Sequence, residues 1–411
     1  MNKIIQDHSK LIFLSALLGF QYFMSPILVI FYLKYVGVSF SQFIFLDSIL
    51  FLLVAIFEVP SGYLSDRFGR KRTLLISRVF TILSMIILIL FPSYIGALIS
   101  IIISGVFIPL GSGNEKAIYF ESFKKLNEEK KLQKIYSKSN SISFVMLTIT
   151  SIISGFIAKI NLALPVLIDI ILLIVISIAT FFLLHDDKTY LSNQEMSAAK
   201  DKIGKFVYNH NNIKGLINVT PIFLLSALFF AALRVSYTAY QPLFKNLNID
   251  IQYFGMIFAF FNITCSLSSY AAPKFLKMTS NELTTLLVLT TFITISFIGI
   301  FISNSVFLVL LFIALQQIVR GLHGPFFLIQ KNYYIPINSK KRVTYLSYSN
   351  LLSTLLVSLC LYLFSYMNSK VSLKLSIICF GMLISFISLL TIIILYTLKR
   401  KGKIKCYQCQ Q

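Results

Sequence analysis

The chain has 411 residues, of which 57% are hydrophobic and 13% are charged, and its mean hydropathy is +0.81. This composition leaves too much apolar surface for a water-soluble fold, so we predict an integral membrane protein. The formal net charge of +22 does not indicate nucleic-acid binding, because Lys and Arg occur in short blocks between apolar segments and form no continuous basic face.

Twelve apolar segments are long enough to cross a hydrocarbon core of about 30 Å as helices. We predict these spans at residues 11–33, 41–64, 73–91, 94–121, 138–158, 162–184, 216–243, 251–273, 283–302, 305–330, 344–367 and 372–398. One long polar segment separates the sixth span from the seventh. The expected fold is therefore all-α, with two pseudo-symmetric six-helix bundles at residues 1–184 and 215–398, a central loop at 185–214 and a basic tail at 399–411.

The distribution of Lys and Arg predicts the orientation of the chain in the membrane. Loops on the side of the two termini carry 28 of these residues, whereas the opposite side has only Lys34, Lys159, Lys245 and Lys370. The positive-inside rule then places both termini in the cytoplasm and the protein in a cell membrane, which we expect to be a bacterial inner or plasma membrane. The first apolar run is too long for a signal peptide, so we expect it to be retained.

A weak internal echo supports two related halves. Residues 39–43 align with residues 250–254 at an offset of 211 positions, and both segments open an even-numbered span. On the same offset Asp66 aligns with Lys277, so the second half lacks this carboxylate.

The most distinctive segment is residues 58–72, which joins the second and third spans with the sequence EVPSGYLSDRFGRKR. It resembles the helix 2 to helix 3 signature of the major facilitator superfamily, in the variant found in its bacterial multidrug and macrolide-efflux-like branch. Residues 112–122 and 336–347 are also similar to members of this superfamily. The resemblance implies the twelve-helix major facilitator fold. The fourth span lacks the Arg, and the fifth lacks the Gly-Pro pair, that drug–proton antiporters of this superfamily often carry.

The same segment supplies the predicted gating motif. The resemblance implies that Asp66, at the end of the second helix, contacts the positive N-terminal end of helix 11 and holds the halves together in one state. The neighbouring cations could pair with carboxylates or lipid phosphates, or could be topology signals alone. The complete motif is Gly62, Asp66, Arg67, Gly69, Arg70 and Lys71.

Carboxylates inside spans are candidates for proton coupling, because burying a charge in a membrane is costly. Glu115 is the leading candidate, since a carboxylate in a partly dry cavity can titrate near neutral pH. The alternative role for Glu115 is a fixed ion pair with Lys116 or Arg78. Glu58 could instead clamp neighbouring helices, and Asp169 lies on the sixth helix, which is usually peripheral in this fold.

Polar and aromatic residues near the middle of the spans could line a substrate cavity. Arg234 and Arg320 have no local acidic partner in the sequence, so they either reach across to another carboxylate or receive an anionic group of the substrate. Helix–helix hydrogen bonding is the alternative for the uncharged members. The candidates are Gln21, Tyr22, Asn114, Arg234, Tyr237, Tyr240, Gln241, Gln316, Arg320 and His323.

These features predict a secondary active transporter that works by alternating access, with proton-coupled efflux of a small amphipathic compound as the leading function. Proton-coupled uptake of a small anionic nutrient is the alternative. We expect no enzymatic activity, metal or cofactor, because the chain lacks a phosphate-binding Gly-rich motif and any Cys/His cluster with ligand spacing. Cys406 and Cys409 are expected to belong to an unstructured tail. The expected partners are a small-molecule substrate and the lipid bilayer, with the chain acting as a monomer.

Overall fold

The computed structural model describes residues 2–19, 21–111, 118–119, 122–123, 128–185, 210–279, 281–335 and 342–401. Within these ranges the chain is almost entirely helical and contains no strand. Eleven helices are long and apolar enough to cross a membrane. This confirms the predicted all-helical, multi-pass membrane fold.

Most of the predicted spans correspond to single long helices. Several extend beyond the apolar segment, because polar residues at a helix end continue the backbone hydrogen bonding. The helices are α1 (Asn2–Leu17), α2 (Leu28–Phe31), α3 (Phe40–Phe68), α4 (Arg70–Leu90), α5 (Tyr94–Gly111), α6 (Glu129–Ile160), α7 (Leu164–Leu183), α8 (His210–Asn246), α9 (Ile251–Thr279), α10 (Glu282–Ile302), α11 (Val306–Tyr334), α12 (Arg342–Lys370) and α13 (Leu373–Arg400).

The first predicted span, residues 11–33, is not a continuous helix, and the prediction of an unbroken span is wrong there. Helix α1 ends at Leu17, and regular structure resumes with a 3-10 turn at Ser25–Ile27, followed by α2 and a π-helical turn at Tyr32–Val36. Between them, Gln21 has a φ of 57°, in the left-handed region that ends right-handed helices. Pro26 lies in the first turn after the break, where its missing N–H costs nothing.

Side chains satisfy the backbone groups that this break exposes. The Asp169 carboxylate of α7 accepts hydrogen bonds from the backbone N–H groups of Phe23 (3.2 Å) and Met24 (2.7 Å). The Ser154 hydroxyl of α6 donates to the Phe23 carbonyl. The Tyr22 hydroxyl donates to the carbonyl of Ala16 at the end of α1, at 3.1 Å. A broken helix is tolerated at membrane depth only when its polar groups find such partners.

Contacts divide the chain into two compact units. The first comprises Met1–Ser192 and Asn248–Asn262, and the second comprises Asn193–Leu247 and Ile263–Gln411. Within the first, α5 packs against α3 and α4, and α1 packs against α6 and α7. Within the second, α8 packs against α11, α12 and α13. The predicted central loop lies largely at residues 186–209, outside the described ranges, so that boundary stays a prediction.

Helix α6 and the start of α9 approach closely inside the first unit, at two glycines. A Cβ atom on Gly255 would lie 2.0 Å from the Ser151 carbonyl oxygen, and one on Gly155 would lie 2.6 Å from the Gln252 carbonyl oxygen. Small residues at such a crossing let two backbones pack tightly in a membrane. The Lys159 amine donates to the Gln252 side-chain oxygen at 2.8 Å and extends this contact.

The N-terminal half of α1 is tied to His185, two residues beyond the end of α7. The His185 Nε2 atom lies 3.0 Å from the Asp7 carboxylate, and the His185 backbone N–H donates to His8 Nε2 at 3.0 Å. Lys10 is 3.8 Å from the same carboxylate. The hydrogen bond with His185, supported by the nearby cations, lowers the pKa of Asp7 although burial opposes this change.

Replacing Gly255 by Ala should destabilise the protein by about 1–3 kcal/mol, because the new methyl group would overlap the Ser151 carbonyl. Thermal unfolding of the detergent-purified chain would measure this as a lower midpoint. Gly324→Ala on α11 is the matched control, since its Cβ would meet nothing within 4 Å. A raised midpoint in both variants would contradict the close packing.

Acidification should remove the contribution of the Asp7–His185 pair to stability. Because the pKa of Asp7 is lower in the folded chain, its contribution is complete above the unfolded value of about 3.9 and is lost as the pH falls below it. The difference in thermal midpoint between wild type and Asp7→Asn should therefore be constant above about pH 5 and shrink between about pH 5 and pH 2. Asp250→Asn, at an exposed carboxylate, should show no such trend. If the difference in thermal midpoint between wild type and Asp7→Asn stays constant across this pH range, this account is contradicted.

Candidate functional site

A buried polar network lies inside the second unit, on α8, α10 and α11. The Tyr240 hydroxyl donates to Gln316 Oε1 at 2.5 Å and accepts from Gln317 Nε2 at 3.1 Å. Gln316 Nε2 donates to the Ser296 hydroxyl of α10 at 2.9 Å. Tyr240, Gln316, Gln317 and Ser296 are all at most 2% exposed. The network therefore fixes the facing sides of three helices.

Arg320 extends this network by one helical turn. Its Nη1 donates to Gln317 Oε1 at 3.0 Å, and its Cζ lies 5.9 Å from the centre of the Tyr237 ring. The ring faces Tyr240 at 6.1 Å between centroids. Within the described part of the chain, Arg320 makes no ion pair with a carboxylate. A half-buried cation is thus held by an amide oxygen and an aromatic ring, both neutral groups.

The spacing of these residues explains why the sequence brings them together. Gln316, Gln317 and Arg320 fall within one turn of α11, and Tyr237 and Tyr240 are three residues apart on α8, so each set lies on one helix face. Buried polar side chains on the facing surfaces of packed helices satisfy one another, because an unpaired buried polar group is costly. The sequence prediction did not include Ser296, since a single Ser in an apolar helix carries no distinguishing signal.

Three further predicted cavity residues, His323, Arg234 and Gln241, also belong to the second unit. The His323 Nε2 atom lies 3.0 Å from the Ser226 carbonyl oxygen, and its ring packs 4.8 Å from the Phe327 ring. These contacts give His323 a packing and hydrogen-bonding role between α11 and α8. Arg234 is half-buried and Gln241 is fully buried, both on α8.

Three predicted candidates of the first unit meet at the break after α1. Gln21 and Tyr22 lie in the break after α1, where they shape the backbone. The Asp169 carboxylate accepts hydrogen bonds from backbone N–H groups within the same break, and the residue is 3% exposed. Glu58 is half-buried on α3. Glu115 and Asn114 lie outside the described residues, so their roles stay predictions.

The connection at the predicted gating motif is shorter than expected. The predicted spans left residues 65–72 as a loop between the two helices. Helix α3 continues to Phe68 and α4 begins at Arg70, so only Gly69 separates them, with a φ of 93°. The Thr73 hydroxyl lies 3.0 Å from the Gly69 carbonyl oxygen and 3.3 Å from the Ser65 hydroxyl. These bonds brace the turn from the side of α4.

The cations of this motif differ in their surroundings. Lys71 donates to the Phe181 carbonyl of α7 at 2.7 Å and so links two helices. Arg67 is exposed, with its guanidinium 5.6 Å from the Phe68 ring centre, and Arg70 is half-buried. Gly62 is exposed on α3. The backbone of Asp66 is helical, but its side chain lies outside the described part of the structure, so its predicted contact stays a prediction.

Nothing in the described residues provides a metal site. No group of three or more His, Cys, Asp or Glu side chains has metal-binding geometry within those ranges. Cys265 and Cys360 are buried free thiols inside helices, and Cys379 is an exposed one. Cys406 and Cys409 lie outside the described ranges.

Comparisons with known proteins agree with this architecture. The sequence pattern of a family described as the Major Facilitator Superfamily matches residues 11–349. A search of curated proteins finds no match.

Solved structures are similar to the chain over nearly its whole length. The nucleoside transporter NupG has a TM-score of 0.72 at 12% identity, covering 97% of this chain and 99% of that chain. A D-xylose-proton symporter has a TM-score of 0.72 at 15% identity, covering 93% and 97%. An auto-inhibited POT family peptide transporter has a TM-score of 0.72 at 14% identity, covering 95% and 97%. At these identities the similarity establishes the fold.

Replacing Asp169 by Asn should destabilise the first unit, because an amide has one acceptor oxygen where the carboxylate has two. At least one backbone N–H at the break would lose its partner, at a cost of about 1–3 kcal/mol. Thermal unfolding of the purified chain would measure the loss. Asp250→Asn is the matched control at an exposed position. Equal midpoints for the two variants would show that Asp169 does not hold the break.

Proposed function

Because the chain belongs to the Major Facilitator Superfamily, we propose that it is a secondary active transporter that exports a small amphipathic compound in exchange for protons. The observation that carries this proposal is the network of Tyr237, Tyr240, Gln316, Gln317 and Arg320 inside the second unit. It combines aromatic surface with a few polar groups in fixed positions, which is the usual character of a site for a small organic molecule.

The chemistry of this network suits an amphipathic substrate. The half-buried Tyr237 ring offers apolar area, and the hydrogen bonds among Tyr240, Gln316 and Gln317 fix the side chains beside it. Arg320 adds a positive charge that is braced by Gln317 and therefore positioned before a ligand arrives. A positioned group loses less entropy on binding than a mobile one.

Export driven by protons is supported by the resemblance of residues 58–72 to multidrug and macrolide-efflux-like members of the superfamily. In this proposal Glu115 carries the proton, with Glu58 and Asp169 as the other carboxylates that could do so. The motif from Gly62 to Lys71 gates the alternation of access, and Asp66 is its central residue. The protein acts as a monomer in a bacterial plasma membrane with both termini in the cytoplasm, and it needs no cofactor.

Uptake of a small anionic nutrient together with protons is the second candidate function. It is favoured by Arg320, whose only described partners are the neutral Gln317 and Tyr237 side chains. A cation without a carboxylate partner is suited to receive an anionic group. A D-xylose-proton symporter is among the solved structures with the same fold.

Transport in proteoliposomes tests both functions. With erythromycin as the amphipathic probe, an imposed pH gradient should drive flux opposite to the protons, and Glu115→Gln should abolish this coupling. With gluconate as the anionic probe, the second function predicts flux in the same direction as the protons. Arg320→Gln should then reduce gluconate flux at least about tenfold, because a charge-assisted contact is lost.

Lys245→Gln is the matched control for Arg320→Gln, because Lys245 is an exposed cation at the end of the same helix that carries Tyr240. If erythromycin flux does not depend on the pH gradient and is unchanged in Glu115→Gln, proton-coupled export of that probe is excluded. Proton-linked gluconate flux that is sensitive only to Arg320→Gln would favour uptake instead.

A further inference from the structure

The break after α1 is held by side chains of other helices. Helix α1 ends at Leu17 and regular structure resumes at Ser25, so residues 18–24 lie between two helical segments. Two backbone N–H groups of the break bind a side chain of α7, and one of its carbonyls binds a side chain of α6. Backbone groups at membrane depth depend on such partners. The conformation of this segment therefore depends on residues far away in the sequence.

The Asp169 carboxylate of α7 is the central partner of the break. Its Oδ1 accepts from the Phe23 N–H at 3.2 Å, and its Oδ2 accepts from the Met24 N–H at 2.7 Å. Both oxygens are thus engaged as acceptors of two consecutive N–H groups. Asp169 is 3% exposed, so these contacts are shielded from solvent. The arrangement fits the ionised carboxylate, which only accepts hydrogen bonds.

Protonation would reverse the role of one of these oxygens. A neutral carboxylic acid carries an O–H donor and has less capacity to accept. The two groups of the break that bind Asp169 are themselves donors, so one contact would then place a donor against a donor. A buried N–H that loses its acceptor is costly. The protonated side chain can therefore hold at most one of the two residues firmly.

No cation fixes the ionised form of Asp169. Within the described part of the chain, the two N–H groups are its only hydrogen-bond partners, and no Lys, Arg or His side chain pairs with it. Burial disfavours a charged carboxylate, whereas the two N–H groups favour it. The protonation state of Asp169 is thus linked to the same two contacts that hold the break.

The charged and titratable side chains of the helices around α7 have other partners. Helices α1, α4 and α6 pack against α7. Arg78 of α4 donates to the Ile176 carbonyl, seven residues and about 10 Å beyond Asp169 along the helix. Further contacts of such groups are Lys71 with the Phe181 carbonyl, Asp7 and His8 with His185, Lys159 with Gln252, and Tyr22 with the Ala16 carbonyl.

Space for a change of shape lies beside the break. A cavity of about 330 Å³ is lined by Leu18 and Gly19 of the break, by Arg78 of α4 and by Leu173 of α7, among other residues. All of these residues belong to the first unit. A segment released from Asp169 can move into this volume without separating the packed helices.

We propose that Asp169 is a protonation switch for the break in the first membrane segment. The ionised carboxylate holds Phe23 and Met24 in the broken conformation, and protonation releases them, so the population of the broken state falls. The contact of the Ser154 hydroxyl with the Phe23 carbonyl contains no titrating group and is not part of the switch. The switch acts on the shape of the first unit, whichever substrate is transported and whether or not Glu115 carries a proton.

Hydrogen–deuterium exchange of the full chain in nanodiscs tests the switch, with mass spectrometry of a peptide that covers residues 18–27 as the readout. Between about pH 9 and pH 5, protection in wild type should fall at least about fivefold after correction for the intrinsic pH dependence of amide exchange, because a hydrogen bond to a charged group is lost. Residues 283–302 of α10, which contain no charged side chain, should show no such step.

Three variants assign the step to Asp169. Asp169→Asn cannot ionise, so its protection should be low at every pH and show no step. Ser154→Ala removes a neutral contact to the same break and should lower protection at every pH while keeping the step. Asp250→Asn, at an exposed carboxylate, should behave as wild type.

The proposal fails if the wild-type break shows no step between these pH values, if the same step persists in Asp169→Asn, or if α10 loses protection in parallel. It is supported if the step is confined to the break, persists in Ser154→Ala and disappears in Asp169→Asn. If Asp169→Asn does not fold, wild type and Ser154→Ala decide the question. A step confined to the break then supports the switch, and its absence contradicts it.

Discussion

Backbone polar groups inside a membrane must find partners within the protein, and the first unit is organised around one place where a helix cannot supply them. The chain leaves helical geometry after Leu17, and the freed groups are taken up by Asp169 on α7, Ser154 on α6 and Tyr22 within the break itself. Three elements are thereby locked to one another. Leu18 and Gly19, at the start of this break, line a pocket together with residues of α4, α5 and α7.

The two units use charged residues inside the membrane in opposite ways. In the first unit the Asp169 carboxylate is occupied by two backbone N–H groups and serves the fold. In the second unit the Arg320 guanidinium is held by the neutral Gln317 side chain and the Tyr237 ring, so its charge is positioned but not neutralised by those contacts. The first arrangement stabilises a backbone, and the second holds a half-buried cation among neutral groups. This contrast is why the proposed substrate site rests on α8 and α11.

Much of the fold follows from the sequence, because length and hydropathy are sufficient to identify spanning helices. The sequence predicted a connection between α3 and α4 over residues 65–72. In the structure only Gly69 separates the two helices, because the polar residues at their ends continue the helical hydrogen bonding. Tyr237, Tyr240, Gln316 and Arg320 were among the residues that the sequence offered as cavity candidates, but their mutual contacts depend on how α8 and α11 pack. The sequence named Arg78 only as a possible ion-pair partner of Glu115, because its contacts on α7 are about a hundred residues away in the chain.

The sequence by itself determined that this protein is an all-helical membrane protein of the Major Facilitator Superfamily, because apolar runs and a local motif are properties of consecutive residues. Only the tertiary structure decided that the first span is broken and that Asp169 holds the break. It alone also decided that Arg78 faces a cavity beside that break. The physical reason is that a carboxylate or guanidinium inside a span must find a partner, and packing between distant helices determines which partner lies within hydrogen-bond distance.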